Sequence, residues 1–384
     1  MMTPGLRRLL GIGAAVLAVL ATLFASGVFD PWGMDAYTQR KLAELRRASP
    51  GTQVSPGTAA SAATAAPGGR ADTDVSPRAA APSAPGSGDV AGDAPHAELT
   101  APTTRAGSKT AFRPPPESAL PSGEIGDVIR RGREIFVDTG RAAPAYVGNS
   151  LRCVNCHLDA GRLPGASPLW AAFVSYPAYR SKTRSVSTFQ QRLQGCFEYS
   201  MNGKAPPAGA AELVALESYA YWLATGAPVD PRLAGRGYPA LAAPAQRLDP
   251  ARGQQVFAAK CALCHGADGA GQRSADGVAV FPPLWGPESF NWGAGMGRIS
   301  NAAAFVKANM PLGLPGTLSD QQAWDVALFM NSHERPQDPR YTGSVQATRN
   351  AFHATEDSMY GLEVAGKVLG ASGAPKPFRP LKDR

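Results

Sequence analysis

The middle of the chain contains two segments whose apolar residues recur at helical spacing. In residues 124–139, one helical face collects Ile125, Val128, Ile129, Gly132 and Phe136. In residues 210–226, the corresponding face collects Leu213, Leu216, Tyr219, Ala220 and Leu223. The two patterns predict an opening helix and a closing helix whose apolar faces pack on each other.

A second helix pair is predicted further along the chain by capping residues as well as by apolar spacing. Asp249 followed by Pro250 is typical of a helix start, because aspartate accepts from free amides and proline fits the first turn. Ser319 is the predicted N-cap of the matching closing helix. The apolar residues of that closing helix are Trp324, Leu328 and Phe329.

The two helix pairs share one plan, since Gly132 and Phe136 of the first opening helix correspond to Gly253 and Phe257 of the second. Each opening helix is followed by the pattern CxxCH. The motif residues are Cys153, Cys156 and His157 in the first copy and Cys261, Cys264 and His265 in the second. In c-type haem proteins the two cysteines attach the porphyrin and the histidine binds the iron. The duplicated pattern therefore predicts two covalently attached haem c groups.

An opening helix, CxxCH and a closing helix describe the small α-helical cytochrome c fold. We therefore predict a mainly α protein with two tandem cytochrome c domains after an N-terminal hydrophobic helix and a disordered linker. The expected domains are residues 122–228 and 245–335, with an interdomain linker at 229–244. Residues 336–384 are expected to form a C-terminal extension that wraps the surface, because they are rich in proline and charge.

The N-terminal residues predict export. Arg7 and Arg8 precede an uncharged run from Leu9 to Phe29, which is long enough to cross a bilayer with its positive flank inside. We expect residues 1–32 to be an uncleaved anchor, and a cleavable secretory signal is the alternative. The chain is then expected in the periplasm, tethered to the inner membrane by residues 9–29.

Residues 33–121 are predicted to be a low-complexity linker. Residues 51–98 contain no Leu, Ile, Met or aromatic residue and are dominated by Ala, Pro, Gly, Ser and Thr. Such a segment buries too little apolar surface to offset the entropy lost on ordering. A ligand role for His96, which lies inside it, is therefore not expected.

The formal charge of +8 matters mainly through its distribution. Between Ala178 and Lys204, the sequence contains five basic residues and only one acidic residue, Glu198. The basic residues of this stretch are Arg180, Lys182, Arg184, Arg192 and Lys204. A local excess of this kind beside a cofactor would attract small anions. Nucleic acid is excluded as a partner, because an exported protein rarely meets it.

The distal iron ligand of a cytochrome c usually lies in a loop shortly before the closing helix. In the second domain that position predicts Met310, with Met296, Lys307 and His333 as alternatives. The corresponding stretch of the first domain, QGCFEYSMNGK, contains the fifth cysteine, Cys196. Its spacing leaves three alternatives open, namely Cys196, Met201 and an open coordination position.

Several motifs together resemble the dihaem thiosulfate dehydrogenases. The matching stretches are YVGNSLRCVNCH, YPAYR, RLQGCFEYSMNG, FPPLWG, FVKANMP and ERPQDPR, and they extend from about residue 121 to 340. The resemblance implies that Cys196 is the distal ligand of the first haem and Met310 that of the second. Some family members have lysine at the position of Asn309, so lysine ligation of that type is not expected here.

The family activity implies that two thiosulfate dianions are joined into tetrathionate, and that two electrons pass to a soluble or membrane-bound cytochrome. The reaction is reversible in the family. The resemblance implies Arg192 and Ser200 as substrate contacts, and Cys196 as a nucleophile that carries a sulfur adduct. Local charge adds Arg184 and Lys204. The competing interpretations are a non-enzymatic dihaem electron carrier and a Sox-type haem subunit that transfers sulfur to a carrier protein.

Overall fold

The computed structural model describes residues 111–230, 232–275 and 279–381. The predicted anchor and nearly all of the predicted linker, with His96, lie outside these ranges. Within them, no helix combines the length and the apolar character needed to cross a membrane.

Helices dominate the part of the chain that the structure describes. The α-helices are α1 (Gly123–Val137), α2 (Thr139–Ala142), α3 (Leu158–Gly161), α4 (Leu169–Phe173), α5 (Phe189–Gly195), α6 (Ala211–Leu223), α7 (Pro250–Lys260), α8 (Ala262–His265), α9 (Ile299–Asn309), α10 (Asp320–Asn331) and α11 (Val345–Thr348). Three antiparallel hairpins accompany them. Their strands are β1 (Ala178–Arg180) with β2 (Ser185–Ser187), β3 (Gln272–Arg273) with β4 (Ala279–Phe281), and β5 (Glu363–Val364) with β6 (Lys367–Val368).

In the first half of the described chain, α1 packs along α6, as the apolar patterns predict. Ile129 and Phe136 are buried in this contact, and every predicted inward residue of α6 is buried. The prediction for Ile125 is wrong, because its side chain is 56% exposed. Residues 122–125 are all exposed, so the first turn of α1 projects beyond the packed part of the helix. Apolar spacing identifies the face of a helix but not how much of its length is covered.

The second half repeats the arrangement with α7 packed along α10. Both predicted N-caps are confirmed. The Asp249 carboxylate accepts hydrogen bonds from the backbone amides of residues 251 and 252, and the Ser319 hydroxyl accepts from the amide of Gln322. Gln322 in turn accepts from the Ser319 amide, which completes a capping box.

Both helix pairs cross at a glycine. A Cβ atom on Gly132 would lie 1.9 Å from the carbonyl oxygen of Ala215 in α6. A Cβ atom on Gly253 would lie 2.1 Å from the carbonyl oxygen of Asp325 in α10. The two glycines occupy corresponding positions because in each pair the backbones approach too closely for any side chain.

The C-terminal segment packs on the second half of the chain. The Tyr360 ring meets Trp292 edge-on with centroids 5.6 Å apart and stacks on His353 at 4.5 Å. The imidazole of His353 is also hydrogen-bonded to the buried carboxylate of Asp338, with Nε2 and Oδ2 2.9 Å apart. These contacts bury side chains of the segment, so part of it belongs to the packed interior.

Alanine at either crossing glycine should destabilise the protein. We expect Gly132→Ala and Gly253→Ala each to lower the free energy of unfolding by about 1–3 kcal/mol, because the added methyl group overpacks a backbone contact. Denaturant unfolding of the haem-loaded protein measures this. The control is Gln254→Ala on the exposed face of α7, which should change stability by less than about 0.5 kcal/mol. An increase for either glycine variant, as helix propensity alone would give, would contradict the close crossing.

Candidate active site

The first CxxCH motif lies at a cavity of about 540 Å³, called here the first cavity. Cys153, Cys156 and His157 line it from one side. Cys196 and Met201 line it as well, so the structure brings both candidate distal ligands to the same cavity. Arg192 and Ser200, the substrate contacts implied by the family resemblance, also line it.

The imidazole of His157 is oriented by the backbone around it. Its Nδ1 lies 2.6 Å from the carbonyl oxygen of Ser167, and burial lowers its pKa to about 4, so the ring is neutral. The amide of Ser167 donates to the carbonyl of Gly237 at 2.8 Å. The segment predicted as interdomain linker therefore supports the loop that orients this histidine.

The second motif lies at a separate cavity of about 140 Å³, the second cavity. Cys261, Cys264 and His265 line it, and Met310 at the end of α9 lines it too. The Nδ1 atom of His265 lies 2.9 Å from the carbonyl oxygen of Pro282. Cys156 of the first motif also lines the second cavity, so the two cavities adjoin at that residue.

The structure narrows the candidates for the distal ligand of the second site. Lys307 is committed elsewhere, because its Nζ lies 2.6 Å from the Leu318 carbonyl oxygen and 3.0 Å from the Asp320 carboxylate. His333 stacks on Trp285 with ring centroids 4.2 Å apart, and neither residue lines the second cavity. Met296 and Met310 both line the cavity.

Cys196 begins a π-helical turn, Cys196–Ser200, that continues directly from α5. Turns of this kind insert one extra residue and are frequent at functional sites. Two buried asparagine side chains hold the turn by its carbonyl groups. Asn149 Nδ2 donates to the carbonyl oxygen of Ser200 at 2.9 Å, and Asn291 Nδ2 donates to that of Glu198 at 2.9 Å.

The two asparagines also connect the halves of the described chain. Asn149 precedes the first motif, and the same amide group donates to the carbonyl oxygen of Ser289 at 3.0 Å. Asn291 belongs to the second half, and its backbone amide donates to the carbonyl oxygen of Tyr199 at 3.2 Å. Residues 289–291 therefore hold the turn that carries Cys196.

Cys196 has a cationic neighbour. Arg192 lies one turn earlier in α5, and its Nη1 donates to the Cys196 sulfur at 2.7 Å. The charge of a Cys196 thiolate raises the pKa of Arg192, against the opposing effect of burial. This contact keeps the guanidinium at the first cavity beside the Cys196 sulfur.

Two further cations reach the first cavity from the β1–β2 hairpin. Arg180 at the end of β1 donates to the Tyr176 hydroxyl at 3.1 Å. Lys182 lies in the hairpin turn with its Nζ 3.2 Å from the centroid of the Tyr199 ring, and it donates to the carbonyl oxygen of Gly293. Burial and then the charges of Arg340 and Arg192 lower the pKa of Lys182 to about 7.

The structure corrects the charge-based choice of site residues. Arg184 is exposed in the hairpin turn with φ of 51°, and Lys204 is exposed; neither side chain lines the first cavity. Arg180 and Lys182 line it instead. The local charge excess identified the segment, but the hairpin that turns Arg180 and Lys182 inward was not predicted. Arg298 was missed altogether, because it reaches the cavity from the second half of the chain.

Comparison with known proteins places this geometry in a family. The protein-family model named SoxA/TsdA, cytochrome c domain, matches residues 146–229, and the family model named cytochrome c matches residues 250–334. The chain is 59% identical over 289 residues to the thiosulfate dehydrogenase of Thiomonas intermedia strain K12, covering 75% of this chain and 92% of the relative. The chain belongs to the thiosulfate dehydrogenase family. This confirms the resemblance drawn from its motifs.

Other members of the thiosulfate dehydrogenase family give the same result. The thiosulfate dehydrogenase of Stutzerimonas stutzeri strain A1501 is 50% identical over 275 residues, covering 71% of this chain and 89% of the relative. The solved as-isolated thiosulfate dehydrogenase TsdBA of Marichromatium purpuratum is 51% identical, with a TM-score of 0.66. That match covers 69% of this chain and 58% of the solved chain, so this protein spans less than two thirds of it.

These findings confirm two cytochrome c domains in a mainly helical protein and two covalently bound haem c groups. The donor atoms of both cavities fit that cofactor. Each motif histidine bonds a backbone carbonyl through Nδ1, and no described residue bonds its Nε2, the atom that ligates iron. A sulfur atom from outside the motif lines each cavity as well, from Cys196 in the first and Met310 in the second.

Replacing the Asn291 amide by a carboxylate should loosen the turn that carries Cys196. In Asn291→Asp, an oxygen would face the Glu198 carbonyl in place of the donating NH₂ group, and burial would make the lost bond costly. We expect a loss of about 1–3 kcal/mol in the free energy of unfolding of the haem-loaded protein.

The control is Asn350→Asp. Asn350 is exposed and accepts from Gln346, a role that a carboxylate retains, so its substitution should be neutral within about 0.5 kcal/mol. Equal stability of the two variants in urea would contradict the role assigned to Asn291.

Proposed function

We propose that this protein is a thiosulfate dehydrogenase that joins two thiosulfate dianions into one tetrathionate dianion and releases two electrons. The observation that carries the proposal is the Arg192–Cys196 pair at a cavity that also holds the first CxxCH motif. The relatives are named thiosulfate dehydrogenases, which supports the same reaction. The reverse reaction, reduction of tetrathionate, belongs to the same proposal.

The charges at the first cavity suit a reaction between two dianions. Among the described residues, six Arg or Lys side chains and no Asp or Glu line it. They are Arg152, Arg180, Lys182, Arg192, Arg236 and Arg298. Arg152 and Arg298 form ion pairs with carboxylates, whereas Arg180, Lys182 and Arg192 have no ion pair with a described residue. Fixed cations in a partly buried site would lower the cost of bringing the anions together.

Each haem, when bound, would accept one electron at its iron. We assign attachment to Cys153 and Cys156 in the first domain and to Cys261 and Cys264 in the second. The iron ligands are assigned as His157 and Cys196 in the first domain and His265 and Met310 in the second. Arg192 donates to the Cys196 sulfur, and Ser200 is assigned to contact substrate from the other end of the π turn.

The residues of the second domain would conduct electrons away from substrate. Cys156 lines both cavities, so a protein connection between the two haem sites runs through it. A soluble or membrane-bound cytochrome is the proposed acceptor, in the periplasm where c-type cytochromes typically act. Tethering by residues 9–29 stays a prediction, because those residues lie outside the described ranges.

Substitution of Cys196 tests the proposed function. Purified protein with an artificial acceptor should oxidise thiosulfate, and Cys196→Ala should retain both haems but lose nearly all turnover. Electron paramagnetic resonance should show a low-spin thiolate signal in the native protein and none in the variant.

The matched variant is Met201→Leu, which keeps the volume of the other candidate ligand at the first cavity. It should retain the thiolate signal and most of the turnover. The opposite pattern, with Met201→Leu inactive and Cys196→Ala active, would refute Cys196 as the reaction centre. Native protein that does not reduce the acceptor with thiosulfate would refute the function itself.

The Lys182 ammonium should make substrate affinity depend on pH. With a pKa of about 7 in the free protein, Lys182 is charged below that pH and loses its charge above it. The groups that face it are Arg180, Arg192, Arg340, Asp338 and Glu198. Because a dianion binds better to the charged form, KM for thiosulfate should rise several-fold from pH 6 to pH 8. Lys182→Gln should show a high KM with a flatter profile, whereas Lys204→Gln should keep the native profile.

A further inference from the structure

A smaller cavity of about 220 Å³, called here the side cavity, lies beside the first cavity. Arg180, Lys182 and Arg192 line both cavities, so these three cations stand between them. No Asp or Glu in the described part of the chain lines the side cavity. The side cavity is therefore a second site whose charge favours binding of an anion. The reaction proposed above needs two thiosulfate anions bound at once.

Besides the three cations, Gly195 and Tyr199, the side cavity is lined by four residues with polar side chains. Thr183, Ser185 and Ser187 of the β1–β2 hairpin supply three hydroxyl groups, and their oxygens lie 3.2–3.4 Å from one another in a chain. Gln191 supplies a side-chain amide, whose oxygen already accepts from the Thr188 backbone at 2.8 Å. Its NH₂ group is left as a donor. Hydroxyl and amide donors next to cations suit the oxygens of a sulfonate group.

The positive charges around the side cavity repel one another. Burial and then the charge of Arg192 lower the pKa of Arg180, and burial and then Arg340 and Arg192 lower that of Lys182. The charge of Asp338 offsets part of this effect on Lys182, but its carboxylate bonds Arg340 at 2.6 Å and His353 at 2.9 Å. Arg192 donates to the Cys196 sulfur. A bound dianion would supply the charge that no carboxylate lining the cavity provides.

We propose that the side cavity is a second anion subsite, which holds the sulfonate end of one thiosulfate while the other thiosulfate occupies the first cavity at Cys196. This rests on the proposed function. The sulfane sulfur of each thiosulfate points toward Cys196, one S–S bond forms between them, and two electrons leave to the haems. No proton or leaving group is involved. The two sulfonates stay apart on either side of the cations, which screens their repulsion.

The test adds one negative charge to the side cavity alone. Gln191 lines the side cavity but not the first cavity, and glutamate can also accept from the Thr188 amide, so Gln191→Glu keeps the helix cap. The matched control is Val186→Glu. Val186 is 66% exposed, lies in the same hairpin between two residues of the side cavity, and lines neither cavity.

Two measurements decide the matter. At low ionic strength, Gln191→Glu should raise the half-saturating thiosulfate concentration about fivefold with the maximal rate changed less than twofold, and added neutral salt should reduce the difference. Val186→Glu should stay within twofold of the native protein. Equal shifts in both variants would overturn the subsite, because they would reflect net charge alone.

Equilibrium dialysis with radioactive sulfate gives a readout that does not depend on turnover. Native protein and Val186→Glu should bind two sulfates per chain with the same affinities, whereas Gln191→Glu should bind one of them about fivefold more weakly. One sulfate per native chain would overturn the subsite even if thiosulfate is oxidised. Two sulfates per chain in a protein without thiosulfate oxidation would refute the proposed function and leave the anion subsite standing.

Discussion

The two hydrogen bonds that Asn149 and Asn291 donate to the π turn of residues 196–200 are the contacts on which the active site depends. A π turn leaves backbone carbonyl groups without regular helical partners, and buried carbonyls need donors. Asn149 and Asn291 are at most 1% exposed and supply them. The position of the Cys196 sulfur thus follows from amides that lie far away in the sequence, one of them in the second half of the chain.

The same constraint explains why the halves are not independent electron carriers placed side by side. Tyr199 packs so closely on Gly293 that a Cβ there would lie 2.5 Å from its ring. The Nζ atom of Lys182 lies 3.2 Å from the centroid of the same ring and donates to the carbonyl oxygen of Gly293. Gly293 therefore contacts both Tyr199 and Lys182, and Lys182 lines the first cavity, so the second half of the chain supports a cation of the first site.

Prediction from sequence succeeded where a short pattern carries its own physics. CxxCH identifies haem attachment by chemistry alone, and Asp249 and Ser319 identify helix starts because their side chains bond amides within three residues. Arg184 and Lys204 were chosen from charge excess, which is a property of a segment, and neither side chain lines the first cavity. Which side chains of the segment face inward was decided by the β1–β2 hairpin, three residues per strand, too short to give a pattern.

The sequence by itself determined the two domains, the haem groups and the paired helices, because each depends on contacts between near neighbours or on a repeated motif. Spacing left Cys196 and Met201 as alternatives, and both do line the first cavity. Only the tertiary structure placed Arg192 on the Cys196 sulfur, brought Asn291 to the turn and put Arg298 at the cavity. The physical reason is that these positions arise from close packing between distant segments, whose geometry no local pattern encodes.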